Sequence, residues 1–452
     1  MSETSGPAKG LIIAAPSSGS GKTVLTLGLL RHLAREGIEI ASAKAGPDYI
    51  DPAFHAAATG KPCYNLDPWA MRPAMLEYAA SLGSDGATVI CEGVMGLFDG
   101  AVREQGSTAD LAEITNWPVV LIIDAAAQGA SAGAILRGFA THRPNFSPAG
   151  VVFNRIGGPR HRDVLAEAAA HAAPDIKVLG FVPRSAGLSL PDRHLGLVQA
   201  AEHENLEGFL ERAATLVAEN IDVNALLGLA GKNQSSLGET PHALPPLGQR
   251  IAIAEDEAFS FRYPLVLDGW KKQGAELSFF SPLDDQSPAD DADAIYLPGG
   301  YPELHGYRLS SATRFMDGLR DAADRGAVIF GECGGYMTLG KGLIDANGDR
   351  HVMAGLLPLE TSFAQRKLHL GYREIELDAG AALGAGGVLG KPGQRFRGHE
   401  FHYATVLNES PGAPLFQAKD AAGNDLGLLG LADGRVMGSF IHLIDRMNGD
   451  DG

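Results

Sequence analysis

Apolar residues in the first half of the chain come in short unbroken runs rather than alternating with polar ones. Residues 11–15, 88–92, 119–124, 150–154 and 178–182 are such runs, and residues 38–44 form a more mixed one. A strand covered on one face alternates, whereas a strand covered on both faces does not. These runs therefore predict a parallel sheet between two layers of helices. Residues 24–35, 130–140 and 202–221 read as helices, the last as an amphipathic closing helix. Residues 231–249 lack a hydrophobic period and are rich in Gly, Ser, Asn and Pro, including Pro241, Pro245 and Pro246. They are expected to link two domains, 1–230 and 250–452. A second α/β pattern follows, with strands over 250–254, 276–280, 294–297 and 327–331 and a helix over 263–273.

The first run passes through Pro16-Ser17-Ser18-Gly19-Ser20-Gly21-Lys22-Thr23 into a helix. That is the strand, loop and helix order of a P-loop, with Pro16 where a leading Gly is usual. Small residues let consecutive N–H groups point inward, and the helix dipole adds positive potential there. Ser18, Gly19, Ser20, Gly21, Lys22 and Thr23 are thus the expected phosphate cradle, with Lys22 on the β- and γ-phosphates and the Thr23 hydroxyl on Mg²⁺.

Other candidates sit at strand ends, where open α/β sheets hold their ligands. Asp48 and Asp51, in the loop Lys44-Ala45-Gly46-Pro47-Asp48-Tyr49-Ile50-Asp51-Pro52, suit a hard cation, although an Asx-type turn is an alternative use. Glu92 ends a buried run and is the expected second metal-directed acid. Asp99, in the glycine-rich stretch after it, is read as a mobile-loop acid near the reacting centre. Asn154, at another strand end, is placed for a nucleotide base or for a turn cap. Arg155, Arg160, Arg162, Arg184 and Arg193 supply local positive charge suited to carboxylates. Cys91 reads as a small core residue.

In the second half, Gly331-Glu332-Cys333-Gly334-Gly335 places a cysteine at a strand-to-helix turn. This is a nucleophile elbow, where the helix N-terminus is expected to lower the thiol pKa and the following N–H, from Gly334, to serve an oxyanion. Gly299–Gly300 offers a second N–H, from Gly300. His442, on a strand-like segment, is the expected base. In Gly398-His399-Glu400-Phe401-His402-Tyr403 period-two spacing is expected to put both imidazoles on one face, in a pocket-wall or structural role rather than a metal site, because no third ligand is evident.

Composition narrows the class. The 452 residues are 45% hydrophobic with a net charge of −17. That argues against nucleic acid as a partner, and no apolar run spans a bilayer. Residues 1–4 do not read as a signal peptide. Cys63, Cys91 and Cys333 form no disulfide framework, so the cytoplasm is the expected compartment.

Taken in order, Ser17–Thr23, Lys44–Pro52, Glu92–Gly100, Asn154-Arg155, Leu190–Leu197, Pro298–Tyr301, Gly331–Gly335, Arg397–Tyr403 and Gly438–His442 resemble the cobyrinic acid and hydrogenobyrinic acid a,c-diamide synthase family. The resemblance covers nearly the whole chain. It implies an α/β protein of two domains. The first is a dethiobiotin-synthetase-like P-loop NTPase with a mainly parallel sheet. The second is a class I glutamine amidotransferase domain of flavodoxin-like type. It further implies ATP and Mg²⁺ as cofactors, with Thr23, Asp48 and Glu92 holding the metal. Lys44, Tyr49, Asp51, Asp99, Arg184, Arg193 and His194 fall to the synthetase site. Cys333 and His442 would release ammonia from L-glutamine, and an acyl phosphate on the a and c acetates of the macrocycle would take it up, the ammonia passing through the interior. The aerobic-type substrate, hydrogenobyrinic acid, is favoured over cobyrinic acid, and a homodimer is an allowed assembly. The amidotransferase class ordinarily continues His-x-Glu, whereas here His442-Leu443-Ile444 lacks that carboxylate. Rival readings are cobyric acid synthase, nickel-sirohydrochlorin a,c-diamide synthase and, from another class, a ParA-like switch ATPase. The last would show a second lysine early in the loop, and Ala15-Pro16-Ser17-Ser18 has none.

Overall fold

In the computed structural model the residues described are 8–82, 86–185, 187–188, 192–193, 196–197, 199–232, 240–382, 384–409 and 412–447, with backbone only for the two pairs in 192–197. The chain forms two compact units. One comprises Met1–Trp69 and Pro73–Pro241, the other Ala70–Arg72 and His242–Gly452.

The first unit is built on the unbroken apolar runs. Strands β1 (Lys9–Ala14), β2 (Ile40–Ala45), β3 (Cys63–Leu66), β4 (Thr88–Glu92), β5 (Val119–Asp124), β6 (Gly150–Ile156) and β7 (Lys177–Pro183) pair in the order β3-β2-β4-β1-β5-β6-β7. All six pairings along that path are parallel. Val119 through Ile123 are all buried, as a strand covered on both faces requires. Each such side chain contributes roughly 1.5–3 kcal/mol relative to exposure. Helix α1 (Lys22–Arg35) follows β1 and packs against the helix Leu206–Asn220. The expected linker begins as a strand: Gly231 and Lys232 pair antiparallel with Gly10 and Lys9, making this sheet eight-stranded. Ala243, Leu244 and Leu247, later in that stretch, are buried.

The second unit carries a ten-stranded sheet of mixed direction. Strands β8 (Arg250–Ala254), β9 (Glu276–Phe280), β10 (Ala294–Leu297) and β11 (Val328–Glu332) form its parallel part in the order β9-β8-β10-β11. The sheet then continues through β12 (His369–Leu377), β13 (Arg395–His402), β14 (Ala413–Asp420), β15 (Asp425–Asp433), β16 (Val436–Ser439) and β17 (Ile441–Arg446), of which the sequence reading places only the segments around His399–His402 and His442 on strands. β16 pairs parallel to β11, and the remaining neighbours run antiparallel. The chain leaves β16 at Ser439 and enters β17 at Ile441. Ser439 is paired with Glu332 and His442 with His399. That one-residue break between strands of the same sheet brings His442 to the end of β11. Among the described residues no helix is long and apolar enough to cross a membrane.

Candidate active sites

In the first unit the loop after β1 turns through Gly19 (φ +79°) and Gly21 (φ +87°), both left-handed, before α1 begins at Lys22. Gly21 is required twice over. Its φ strains any L side chain, and a Cβ there would lie 2.3 Å from Nδ2 of Asn154. That amide donates to the Ser20 carbonyl (2.9 Å), and its oxygen accepts from the Arg155 N–H (2.9 Å). Beside the two uses expected for Asn154, the structure shows a third: its side chain braces the loop between β1 and α1.

Around the loop the expected acids and bases converge. Thr23 Oγ1 donates to Glu92 Oε1 at 2.6 Å. Lys44 Nζ lies 2.5 Å from Asp51 Oδ2 and 3.1 Å from Glu92 Oε1. Burial would push the Glu92 carboxyl up, but Lys44, His55 and Lys22 together hold it well below the ordinary carboxylate range. Lys44 is raised, because Asp51 and Glu92 outweigh the burial that opposes its charge. Lys22, buried, is lowered by desolvation despite Glu92, and its Nζ reaches the Met95 carbonyl at 3.3 Å. A hydroxyl and an ionised carboxylate 2.6 Å apart are a donor set that suits a hard divalent cation.

Asp48 takes the turn alternative: its Oδ1 accepts from the N–H groups of Ile50 and Asp51 at 2.8 and 3.1 Å. Asp99 likewise accepts from the Gly96 N–H (2.9 Å), so it holds its own loop. Tyr49 is buried beside this loop. Arg184 donates to the carbonyls of Ala126 and Arg155 at an exposed position. The side chain of Arg193 and all of His194 lie outside the described residues.

The sequence reading missed His55. Its Nε2 sits 2.8 Å from Glu92 Oε2 and its Nδ1 3.5 Å from Cys63 Sγ, all fully enclosed. Although burial opposes it, the imidazole is pushed up to about 10 by Cys63 and Glu92. The available signal was spacing: His55 is four residues after Asp51 on the helix Asp51–Thr59, hence on the same face.

In the second unit Cys333 stands between β11 and the short helix Gly334–Leu339 at φ +47°, ψ −103°. Positive φ in a non-glycine residue is strain held by its surroundings. Here the Cys333 N–H donates to the Ser439 carbonyl (2.8 Å) and the Gly335 N–H to that of Pro298 (3.1 Å). Gly299 shows how tightly His442 and Cys333 meet. A Cβ on it would lie 2.3 Å from Cε1 and 2.9 Å from Nε2 of His442, and 3.2 Å from Cβ of Cys333. A Cβ on Gly334 would sit 2.9 Å from the Gly300 nitrogen, so the two expected oxyanion donors share one corner.

Two expectations change here. Burial pushes the Cys333 thiol far up, outweighing the Gly334 N–H that favours the thiolate, so the helix N-terminus does not lower it. A six-residue helix brings little potential against full desolvation. Burial, with His399 and His402, pushes His442 down to about 3. Thiol and imidazole are both neutral at rest.

The second change concerns the strand face. His399 and His402 are three residues apart, which puts them on opposite faces of β13; the residue sharing His402's face is Glu400. The third group absent from the sequence reading is present in space. His369, paired across from His402, joins Glu400 and His402 with ligand-type atoms within 4.8 Å. Glu400 is already engaged, 2.7 Å from Arg373 Nε and 3.0 Å from His402 Nε2. Those partners overcome burial and hold its carboxyl at about 2. The cluster lines a cavity of about 370 Å³ with Lys367, Thr405 and Phe440, so His402, but not His399, is part of that pocket wall.

Comparison with known proteins follows the two units. Residues 11–198 match the CobQ/CobB/MinD/ParA nucleotide binding domain, and residues 250–448 match the CobB/CobQ-like glutamine amidotransferase domain. The hydrogenobyrinate a,c-diamide synthase of Brucella suis biovar 1 is 53% identical over 97% of this chain and 98% of its own. That of Rhizobium meliloti is 52% identical over 96% and 99%, and that of Rhodobacter capsulatus 51% identical over 98% and 100%. Likeness at about half of all positions, over nearly the full length of both chains, spans both matched domains: the chain belongs to the hydrogenobyrinate a,c-diamide synthase family.

Proposed function

We propose that this protein is an ATP- and glutamine-dependent ligase that amidates the a and c acetate carboxylates of hydrogenobyrinic acid in cobalamin biosynthesis. The observation that carries the reading is full-length likeness to synthases of that name, joined to a phosphate loop and a cysteine elbow in one chain. Residues 1–230 serve as the synthetase domain and 250–452 as the glutaminase domain, with 231–249 between them.

At the glutaminase site Cys333 attacks the carboxamide carbon of glutamine while His442 takes the thiol proton. The N–H groups of Gly300 and Gly334 face the oxygen that becomes negative. Collapse expels ammonia, which leaves with that proton, and water clears the glutamyl thioester. At the synthetase site the loop Ser18–Thr23 binds the phosphates and Lys22 balances charge as the γ-phosphoryl group moves to a substrate carboxylate. The resulting acyl phosphate has a good leaving group, which a carboxylate lacks, and ammonia displaces it. Mg²⁺, when bound, supplies charge neutralisation at the phosphates. Thr23 and Glu92 would hold it, with Asp48 beside them. Lys44, Tyr49, Asp51, Asp99, Arg184, Arg193 and His194 are assigned to the surrounding substrate site.

The test is mass spectrometry of hydrogenobyrinic acid and, separately, cobyrinic acid after incubation with MgATP and glutamine. Two added amides on hydrogenobyrinic acid are expected. The same product only from cobyrinic acid would move the enzyme to the cobalt-containing substrate. ATP hydrolysis with neither macrocycle changed would overturn the reading.

A further inference from the structure

Proton transfer from Cys333 to His442 turns two neutral groups into a thiolate and an imidazolium. At a buried site that separation is costly unless a fixed charge faces the imidazolium. The position two residues past His442, where the amidotransferase class ordinarily has a carboxylate, is Ile444.

A carboxylate reaches the imidazole from another strand. Glu332, last residue of β11, is enclosed at the back of the elbow. Its Oε1 accepts from the Leu443 N–H at 3.0 Å, which clamps the main chain beside His442 to it. Its Oε2 accepts from the Tyr296 hydroxyl at 2.6 Å and lies 3.7 Å from His442 Nδ1. Nε2, the other ring nitrogen, is on the Gly299 and Cys333 side. The imidazole therefore stands between carboxylate and thiol, and an approach of roughly 1 Å converts the 3.7 Å separation into a hydrogen bond.

We propose that Glu332, held by Tyr296 and the Leu443 N–H, is the positioning residue of the glutaminase site: it orients His442 through Nδ1 and opposes the charge of the imidazolium. The proposal rests on Cys333 and His442 being the glutaminase pair. The proton balance is unchanged. The S–H bond breaks, Nε2 gains the proton and later returns it to departing ammonia, and Glu332 stays ionised throughout.

The remaining groups around this chain are few. Tyr263 and Arg262 border the same small cavity as Tyr296 and Glu332, and Arg262 is paired with Glu255. Cys333 adjoins Glu332 in sequence, and His399 and His402 act on His442 from the β13 side. Burial raises Glu332 to about 7 even with its two donors. Lowering pH through that value protonates the carboxyl and withdraws its charge, so glutaminase kcat should rise with pH across neutrality.

The experiment measures glutamate formation from glutamine by the full chain across pH, with melting temperature as the check on folding. Glu332→Gln should lower kcat roughly ten- to a hundredfold, with KM changed far less, and lose the rise near neutrality. Glu332→Asp should recover part of the rate and the pH limb. Tyr296→Phe removes a donor that favours the charged form, so its limb should move to higher pH. A folded Glu332→Gln with parental kcat and pH profile would overturn the proposal. If that variant fails to fold, a Tyr296→Phe limb at the parental pH would overturn it instead. A parent enzyme that forms no glutamate is a separate result, and would remove the Cys333–His442 reading itself.

Discussion

The two sites solve opposite electrostatic problems with similar strands. Around Glu92 the chain gathers Lys22, Lys44, His55 and Asp51 into a buried network in which charge is present at rest and matched nearly pair by pair. Around Cys333 burial drives the thiol up and the imidazole down, and that pair itself becomes charged only as the reaction proceeds. Phosphoryl transfer needs a permanent field for an anionic ligand. Thioester formation needs a nucleophile that stays quiet until substrate arrives. A carboxylate at a strand end is useful in both places, with fixed partners in one and a waiting partner in the other.

Cys333→Ala is the sharpest cut through that contrast. Glutamine-supported amidation should vanish, while amidation from added ammonium continues at the other site. Equal loss with both nitrogen donors would break the division into two sites. Glu92→Gln tests the charged side. Removing one charge leaves His55 buried without its carboxylate and Lys44 with Asp51 alone, so ATP-dependent amidation from ammonium should fall by ~100-fold or more. Glutamate formation should change far less, and normal amidation would take Glu92 out of the site.

A smaller effect is expected from Gly299→Ala. Its methyl group would meet His442 Cε1 at 2.3 Å and must displace the imidazole from Cys333. Glutaminase kcat should drop by roughly tenfold or more, because misplacement of about 1 Å carries that scale of loss. A parental rate would mean that the neutral pair tolerates looser geometry than its packing suggests. The smallest effect calibrates charge outside either site. Arg31 on α1 pairs with Glu211 (2.7 Å) and with Glu207, at a partly exposed surface. Arg31→Ala should cost no more than about 1 kcal/mol in denaturant unfolding, without effect on kcat. A much larger loss would mean that surface ion pairs matter here as buried ones do.

What could be read from the chain depended on how local the signal was. The strands Thr88–Glu92, Val119–Asp124, Arg250–Ala254, Glu276–Phe280 and Ala294–Leu297 coincide with expectation, since an unbroken apolar run between turns is written in consecutive residues. The antiparallel strands between His369 and Asp433 were harder. Their burial is partial, as in residues 425–433, where Leu426 and Leu428 are exposed, so no clean period marks them. The strand face of His399 and His402 was misread although spacing alone decides it, because an interval of three reverses the face.

By itself the sequence determined the Gly-Lys-Thr loop, the elbow position of Cys333 and the strand-end place of the carboxylate Glu92. Each announces itself through neighbours in the chain: Gly-Lys-Thr at a helix entrance, glycines flanking a cysteine, a carboxylate closing an apolar run. Tertiary structure alone decided which groups meet. Glu332 was in plain view beside the nucleophile, yet its approach to His442 depends on β17 returning to the sheet after a break at Phe440. His55 meets Glu92 only through the packing of the helix Asp51–Thr59 on β2 and β3. Electrostatics were decided there as well. Whether a thiol rises or falls depends on how much water and how many partners remain around it, and the fold, by bringing distant residues together, sets both.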